Sequence, residues 1–315
     1  MKKDGIEIYG GFDAWEEYLS QLDVAGNPTI LRGNGTSVIS TNNVSSSARW
    51  DGFIVEDGKA ANGAGISNSY SSVTLANMII RGNAADGKGG GVYSLNGNPV
   101  LYNVEISGNK ADSGAAMYNE YAHPILTNVT ISGNKAVVGG GLLNRYSSPE
   151  IRNTLLWGNR AETGSNVYNE KSSSPTYTYS LVEMSLYGSG TWDYSVGVNK
   201  ESNLIKNPAV VKNGFDDAGN MQSGDYMLTE SSPAIDHGFN SFLHDLRFRN
   251  VNLQLLTDNV LYTGLPYDLA GKDRIYDNRV DMGAYESKAT IIDPEIQRYI
   301  DIPLTEGVTT EPGPG

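Results

Sequence analysis

The sequence predicts an all-β fold, namely a right-handed, single-stranded parallel β-helix with coils of about 25 residues. One short block recurs at offsets of 26, 25 and 25 residues, and within each copy apolar side chains alternate with mostly polar ones. The four copies are 77–83, 103–109, 128–134 and 153–159. Alternation with a period of two is typical of strands. Because glycine clusters and prolines interrupt the chain often, helices of ordinary length are disfavoured.

A second block follows each copy and begins with glycine. Its four copies are 89–93, 114–118, 139–143 and 164–168, each offset by 25 residues. Glycine permits the positive φ angles that tight turns require. The two blocks together predict one strand-and-turn pattern that is repeated in every coil.

Stacking of the coils would place equivalent residues in columns about 4.8 Å apart. One predicted column is aliphatic and buried: Val55, Ile80, Ile106, Ile131 and Leu156. A second is a ladder of asparagines: Asn83, Asn109, Asn134 and Asn159. Each side-chain amide can donate a hydrogen bond to the amide of the next coil. We interpret both columns as structural, since stacked repeats must bury a continuous core.

The period predicts three parts: a β-helix over 1–183, a C-terminal cap region over 184–286 and a linker-like tail over 287–315. An open solenoid end exposes apolar side chains and an unpaired strand edge, so a cap is expected. Segments 231–238, 268–274 and 280–286 are predicted to fold back over that end. We expect a buried charge network there, with Arg274 paired to Asp268 or Asp281 and with Asp236 nearby.

Composition limits the possible partners. The formal net charge of −13 disfavours nucleic acid and anionic membranes. The chain has no cysteine, which excludes disulfides and thiolate metal sites. No apolar run is long enough for a membrane span. The N-terminus lacks the apolar core of a signal peptide, so we expect a fragment of a longer exported protein.

The repeats resemble a known family. The paired Gly-Gly-x-aliphatic and aliphatic-x-x-Asn blocks are similar to the repeats of polymorphic outer-membrane proteins. The whole chain resembles bacterial right-handed parallel β-helix surface proteins of the pectin-lyase-like superfamily. Tyr9–Phe12 resembles an N-terminal motif of that group, and 231–238, 268–274 and 280–286 resemble its C-terminal end. The resemblance implies an extracellular or bacterial cell-surface location and an adhesin-like or scaffold role, without a reaction.

Outward aromatic residues are the predicted binding residues. If the residues before them point inward, Tyr93, Tyr118 and Tyr168 form an outward column that Leu143 interrupts, and Trp157 also points outward. Flat aromatic faces can stack on glycans or on partner proteins. The alternative is that these rings only shield the sheet.

A carbohydrate-active enzyme, either a polysaccharide lyase or a glycoside hydrolase, is the alternative function. Its best candidates are Glu120, Arg145 and Glu170, whose two carboxylates would lie two coils, about 9.6 Å, apart. Such a spacing is compatible with inverting hydrolysis. The alternative is an ordinary charged surface. No cofactor is predicted, although the acidic cap cluster permits a Ca²⁺ site.

Overall fold

The computed structural model describes residues 5–13, 15, 22–184, 191–240, 242, 267–274 and 279–287. The predicted tail, apart from Ser287, lies outside these residues. Strands are numbered in chain order: β1 Glu7–Tyr9, β2 Thr29–Arg32, β3 Ile39–Asn42, β4 Arg49–Asp51, β5 Phe53–Glu56, β6 Lys59–Asn62, β7 Ile66–Ser69, β8 Thr74–Arg81, β9 Ala84–Lys88, β10 Val92–Leu95, β11 Val100–Ser107, β12 Met117–Glu120, β13 Ile125–Ser132, β14 Leu142–Arg145, β15 Glu150–Arg152, β16 Leu155–Trp157, β17 Val167–Glu170, β18 Thr176–Thr178, β19 Leu181–Val182, β20 Val198–Glu201, β21 Val210–Lys212 and β22 Asp225–Leu228.

The predicted all-β solenoid is confirmed. Parallel strands stack into about seven coils of about 25 residues, with almost no helix among the described residues. A large sheet runs β1-β4-β8-β11-β13-β15-β18-β20, with β2, β5, β16 and β19 attached beside that path. A six-stranded sheet runs β17-β14-β12-β10-β7-β3, and β6 pairs with β9. Register follows the repeat, so each residue pairs with its equivalent one coil away.

The long strands of the large sheet bend at one asparagine each. Asn77, Asn103 and Asn128 lie inside β8, β11 and β13 with φ angles of 48°, 55° and 55°. In the next coil Asn153, with φ 44°, separates β15 from β16. Asparagine tolerates this left-handed conformation better than most residues do. Each long strand thereby contributes to two faces of the coil.

The core lies inside the coils as aliphatic columns. Val55, Ile80, Ile106, Ile131 and Leu156 are in register and fully buried, as predicted, and Val182 continues the column. A facing column from the six-stranded sheet is also buried: Ile66, Val92, Met117, Leu142 and Val167. Apolar surface shared between coils is therefore the main source of stability.

The predicted asparagine ladder is also present. The backbone N–H and the Nδ2 of Asn109 both donate to Oδ1 of Asn134 at 3.0 Å, and Asn83 and Asn134 bond to the next coil in the same way. Nδ2 of Asn134 also donates to the carbonyl of Ile106 in the preceding coil. The ladder ends where Asn159 donates to Asn166 within its own coil. It satisfies buried turn groups that water cannot reach.

The solenoid continues past the predicted end at residue 183. Strand β20 pairs in parallel with β18, and Leu204 forms a parallel bridge to Leu181. Trp192 packs edge-on against the buried Tyr177 ring and donates its indole N–H to the carbonyl of Gly197. Residues 191–205 therefore cover the end of the core, in place of the later segments that the sequence analysis assigned to it.

The later segments lie instead against the outer face of the large sheet. Ala234, Ile235 and Met282 pack with Leu155 and Trp157. Val280 packs with Tyr102. At Gly283, φ is 105° and a Cβ atom would lie 2.8 Å from Thr130 Oγ1, so the motif needs glycine there. We name residues 214–240, 267–274 and 279–287 the lateral clamp, since they hold the side of several coils together.

Candidate functional site

The predicted tyrosine column on the six-stranded sheet exists in register. Tyr93 pairs with Tyr118, Tyr118 with Leu143, and Leu143 with Tyr168. Tyr93 and Tyr118 have ring centroids 5.8 Å apart. However, Tyr118 is only 3% exposed, whereas Tyr93 and Tyr168 are half-buried. Most of this column is therefore covered and offers little free ring face.

A charge ladder lies over Tyr93 and Tyr118, and it consists of Lys88, Glu120, Arg145 and Glu170. Lys88 Nζ lies 2.9 Å from a carboxylate oxygen of Glu120 and 4.7 Å from the ring centre of Tyr118. Arg145 Nη1 lies 3.6 Å from Glu120, and its Nε lies 3.9 Å from Glu170. Burial alone would lower the pKa of Lys88, but the hydrogen bond from Lys88 to Glu120 helps to raise it. A hydrogen bond with Tyr118 raises the pKa of Arg145.

Positive and negative side chains alternate along the charge ladder, and this alternation determines whether it could act in acid–base catalysis. Glu120 lies between two cations, one on each side, and Arg145 lies between the two carboxylates. A general acid needs a raised pKa, and a general base needs room for a water molecule. Both carboxylate oxygens of Glu120 face cations, since Oε2 lies near Lys88 and Oε1 near Arg145. The ladder therefore fits an ion-pair surface better than a hydrolytic pair.

A different set of tyrosines is exposed. Tyr70, Tyr121 and Tyr146 follow the ends of β7, β12 and β14 and are 56%, 51% and 37% exposed. The rings of Tyr121 and Tyr146 are stacked, with centroids 4.7 Å apart and an interplanar angle of 6°. All three residues have a φ angle of 51°. We name this set the turn tyrosine column.

The backbone of the turn tyrosine column is strained. Bulky residues rarely adopt positive φ, and each such residue costs about 1–2 kcal/mol where glycine or asparagine would cost less. The rings do not repay this cost by filling the core, because they are exposed. Tyr121 and Tyr146 contact each other in their stack, and the outer surface of the column faces solvent. The signal in the sequence is a tyrosine directly after the strand of several coils, a position that the alternation of the strands does not include.

The predicted binding residue Trp157 is not available as an exposed ring. It is 6% exposed and packs under Leu228, Ile235 and Met282 of the lateral clamp. The neighbouring column is covered as well, and the Tyr285 hydroxyl donates to the carboxylate of Glu105. Burial raises the pKa of Glu105. These outward positions contact the clamp, and Trp157 also lines a cleft beside it.

The predicted charge network of the cap has a different arrangement. Arg274 pairs with Glu286, at 2.9 Å, and not with Asp268 or Asp281. Arg274 also donates to the side-chain oxygen of Asn103 and to the carbonyl of Gly283. The three aspartates of the prediction have backbone contacts. Asp268 accepts the N–H groups of Ala270, Lys272 and Glu286, Asp281 accepts those of Asp236 and Ser287, and Asp236 contributes its N–H to Asp281.

The clamp should make stability depend on pH. Burial raises the pKa of Asp281 from 3.8 to about 7. The folded protein then binds this proton more tightly than the unfolded chain, so stability falls as pH rises from about 4 to about 7. We expect the melting temperature to be higher at pH 5 than at pH 8. The difference should shrink in Asp281→Asn. A variant that keeps the full difference would show that Asp281 is not its source.

Two clefts lie elsewhere on the described surface, and the larger one is lined in part by the predicted binding residues Trp157 and Tyr168. A cleft of about 1020 Å³ lies between the turn at 158–169 and residues 213–217, and it includes Arg160, Glu162, Glu183, Asp216 and Asp217. A smaller one, of about 470 Å³, is lined by residues 110–111, 135–137 and 160–162. Neither contains Glu120, Arg145 or Glu170. Within the described ranges, no group of three or more acidic or histidine side chains is arranged to hold a metal ion. The calcium hypothesis therefore has no site among them.

Comparisons with known proteins assign the chain to no family, so its classification rests on the fold. No family model, curated protein or solved structure matches the chain. Strand pairing nevertheless places the protein among parallel β-solenoids. No helix in the described part of the chain is both long and apolar enough to cross a membrane. The resemblance to pectin-lyase-like surface proteins stays a prediction.

Proposed function

We propose that the protein is a non-enzymatic, adhesin-like or scaffold protein of a bacterial cell surface. It takes a glycan or a partner protein on the face that combines the turn tyrosine column with the charge ladder. The observation that carries this proposal is the exposure of Tyr70, Tyr121 and Tyr146 on a strained backbone. Aromatic side chains of this kind supply large, rigid contact area at low conformational cost.

The solenoid supports such a role mechanically. Equivalent residues of successive coils lie one coil spacing apart, so a side chain at a repeated position forms a regular row along one edge of the solenoid. Tyr121 and Tyr146 show this, because their ring separation of 4.7 Å equals one coil step. Beside them, Glu120, Arg145 and Glu170 supply polar contacts of both signs. A ligand with both apolar faces and hydroxyl groups suits this surface.

A screen for binding and cleavage tests the proposal. Purified protein would be applied to printed plant and host glycans and to immobilised host surface proteins, and product formation would be followed in parallel. We expect binding without cleavage, and we expect a Tyr121→Ser variant to bind more weakly because it loses one exposed ring. Glu120→Gln, like the native protein, should form no product. Cleavage at ordinary enzyme rates that Glu120→Gln abolishes would contradict the proposal and support the glycosidase alternative.

A further inference from the structure

The turn tyrosine column has a gap of one coil, and the gap is at Asn96. Backbone hydrogen bonds link the turns of successive coils. The N–H of Tyr70 donates to the carbonyl of Leu95, that of Asn96 to the carbonyl of Glu120, and that of Tyr121 to the carbonyl of Arg145. Asn96 has the same φ angle, 51°, as the tyrosines on either side. Its side chain is exposed. Asn96 therefore occupies the same position as Tyr70 and Tyr121, with a short side chain in place of a ring.

The width of this gap limits what can enter it. The stacked rings of Tyr121 and Tyr146 lie 4.7 Å apart. At the same spacing, rings two coils apart would be separated by about 9.4 Å. Two van der Waals contacts of about 3.5–4.0 Å leave about 2 Å for the thickness of an inserted carbon skeleton. A flat aromatic ring is too thin to touch both tyrosines. A puckered saturated ring, with axial hydrogens on each face, fits both contacts.

We propose that this gap is a sugar-binding slot, in which one pyranose ring lies between Tyr70 and Tyr121 above the amide of Asn96. The inference rests on the proposed function and narrows it to a ligand class. Contact with two aromatic faces requires that both faces of the sugar carry only axial C–H groups. β-Glucosyl and β-xylosyl units meet this condition because all their ring substituents are equatorial. Galactose and mannose have one axial hydroxyl, which separates one face from its tyrosine.

Polar contacts then come from the floor and the rim of the slot. The exposed Asn96 amide offers one acceptor and two donors to the equatorial hydroxyls at the ring edge. Glu120 of the charge ladder lies one residue before Tyr121. A longer chain of equatorial sugars would leave the slot on the open side and remain in solvent. We therefore expect selection for one central unit of an oligosaccharide.

Calorimetric titration with cellotetraose and with β-1,4-mannotetraose tests the slot in the full chain. We expect cellotetraose to bind at least about tenfold more tightly, because mannose loses one aromatic contact. Asn96→Tyr should fold, since neighbouring coils carry tyrosine at this position, and should lose cellotetraose binding by at least tenfold because a third ring fills the gap. Tyr70→Ser should cause a similar loss. Tyr194→Ser, which removes a tyrosine that is 73% exposed elsewhere, is the matched control and should change nothing.

Each other outcome overturns the slot. If Asn96→Tyr strengthens binding, the ligand lies flat on a continuous tyrosine surface, and the proposed function stands without the slot. If Asn96→Tyr and Tyr70→Ser both leave binding unchanged, the ligand binds elsewhere. If no tetrasaccharide binds, the slot is wrong, and the proposed function fails too only when the protein and glycan screen is also negative. Melting curves of each variant show whether a loss comes from misfolding.

Discussion

Replacing Arg274 with methionine is expected to release the lateral clamp, at a cost of about 3–5 kcal/mol in the free energy that holds it on the solenoid. Arg274 and Glu286 are almost fully buried and lie 2.9 Å apart. Methionine fills much of the same volume but leaves the carboxylate without its cation. Asn103 and the carbonyl of Gly283 also lose a donor. A buried charge without a partner costs far more than the intact pair contributes.

Hydrogen exchange reports this release directly. The amides of Gly283 and Ala284 donate to Asn153 and Thr130 of the solenoid, so they are protected only while the clamp is docked. We expect much faster exchange at these two amides in Arg274→Met. The double variant Arg274→Met/Glu286→Gln should regain part of the protection, since the uncompensated charge is gone. Lys212→Met, at an exposed position, is the control. Unchanged protection at Gly283 and Ala284 would refute the role of this ion pair.

Replacing Asn134 with alanine is expected to destabilise the solenoid itself by about 4 kcal/mol. Its Oδ1 accepts two hydrogen bonds from Asn109, and its Nδ2 donates to Ile106, Ser132 and Asn159. These groups are buried, so water cannot take the place of the lost amide. Leucine should not restore stability, because it satisfies none of these hydrogen bonds.

Urea unfolding measures this loss. Asn98→Ala is the matched control, since Asn98 is an exposed turn asparagine that accepts one bond from the backbone of His123. We expect the control to cost no more than about 1 kcal/mol. An Asn134→Ala protein with an unfolding free energy like that of the control would mean that the ladder does not stabilise the coils.

The regular coils could be predicted because the sequence repeats there. In a parallel solenoid each residue pairs with its equivalent one coil later, so the offset of 25 residues gives the register directly. Ile106 and Ile131 pair as expected, and so do Glu105 and Thr130. The asparagine ladder could be predicted from the same offset between coils. Local periodicity, together with the need to bury a core, is enough to define these elements.

The clamp could not be predicted because its contacts are not local and have no period. Trp157 points outward, as its position in the alternating strand pattern predicts. A segment more than seventy residues later in the chain covers it. The partner of Arg274 depends on where the folded backbone places each carboxylate. Asp268, Asp281 and Glu286 all accept backbone N–H groups, and Glu286 also has an oxygen 2.9 Å from the guanidinium. Sequence spacing does not contain this information.

The candidate site was predicted in part. The phase of the repeat gave the column of Tyr93, Tyr118 and Tyr168 and the ladder of Glu120, Arg145 and Glu170 correctly as neighbours. It did not give their exposure, because long charged side chains lie over the strand tyrosines. The exposed rings are one position beyond the strands, where φ is positive. Side-chain exposure at a turn depends on backbone conformation, which alternation alone does not report.

A tyrosine-selective NMR titration tests most directly whether the turn tyrosine column is the binding surface. Protein with ¹³C-labelled tyrosine rings would be titrated with cellotetraose, and signals would be assigned through Tyr70→Phe and Tyr121→Phe. We expect the Tyr70 and Tyr121 signals to shift together with ligand concentration, while buried Tyr102 and Tyr177 stay constant. Shifts confined to Tyr93 and Tyr168, with Tyr70 and Tyr121 unchanged, would contradict the account and return the site to the strand column.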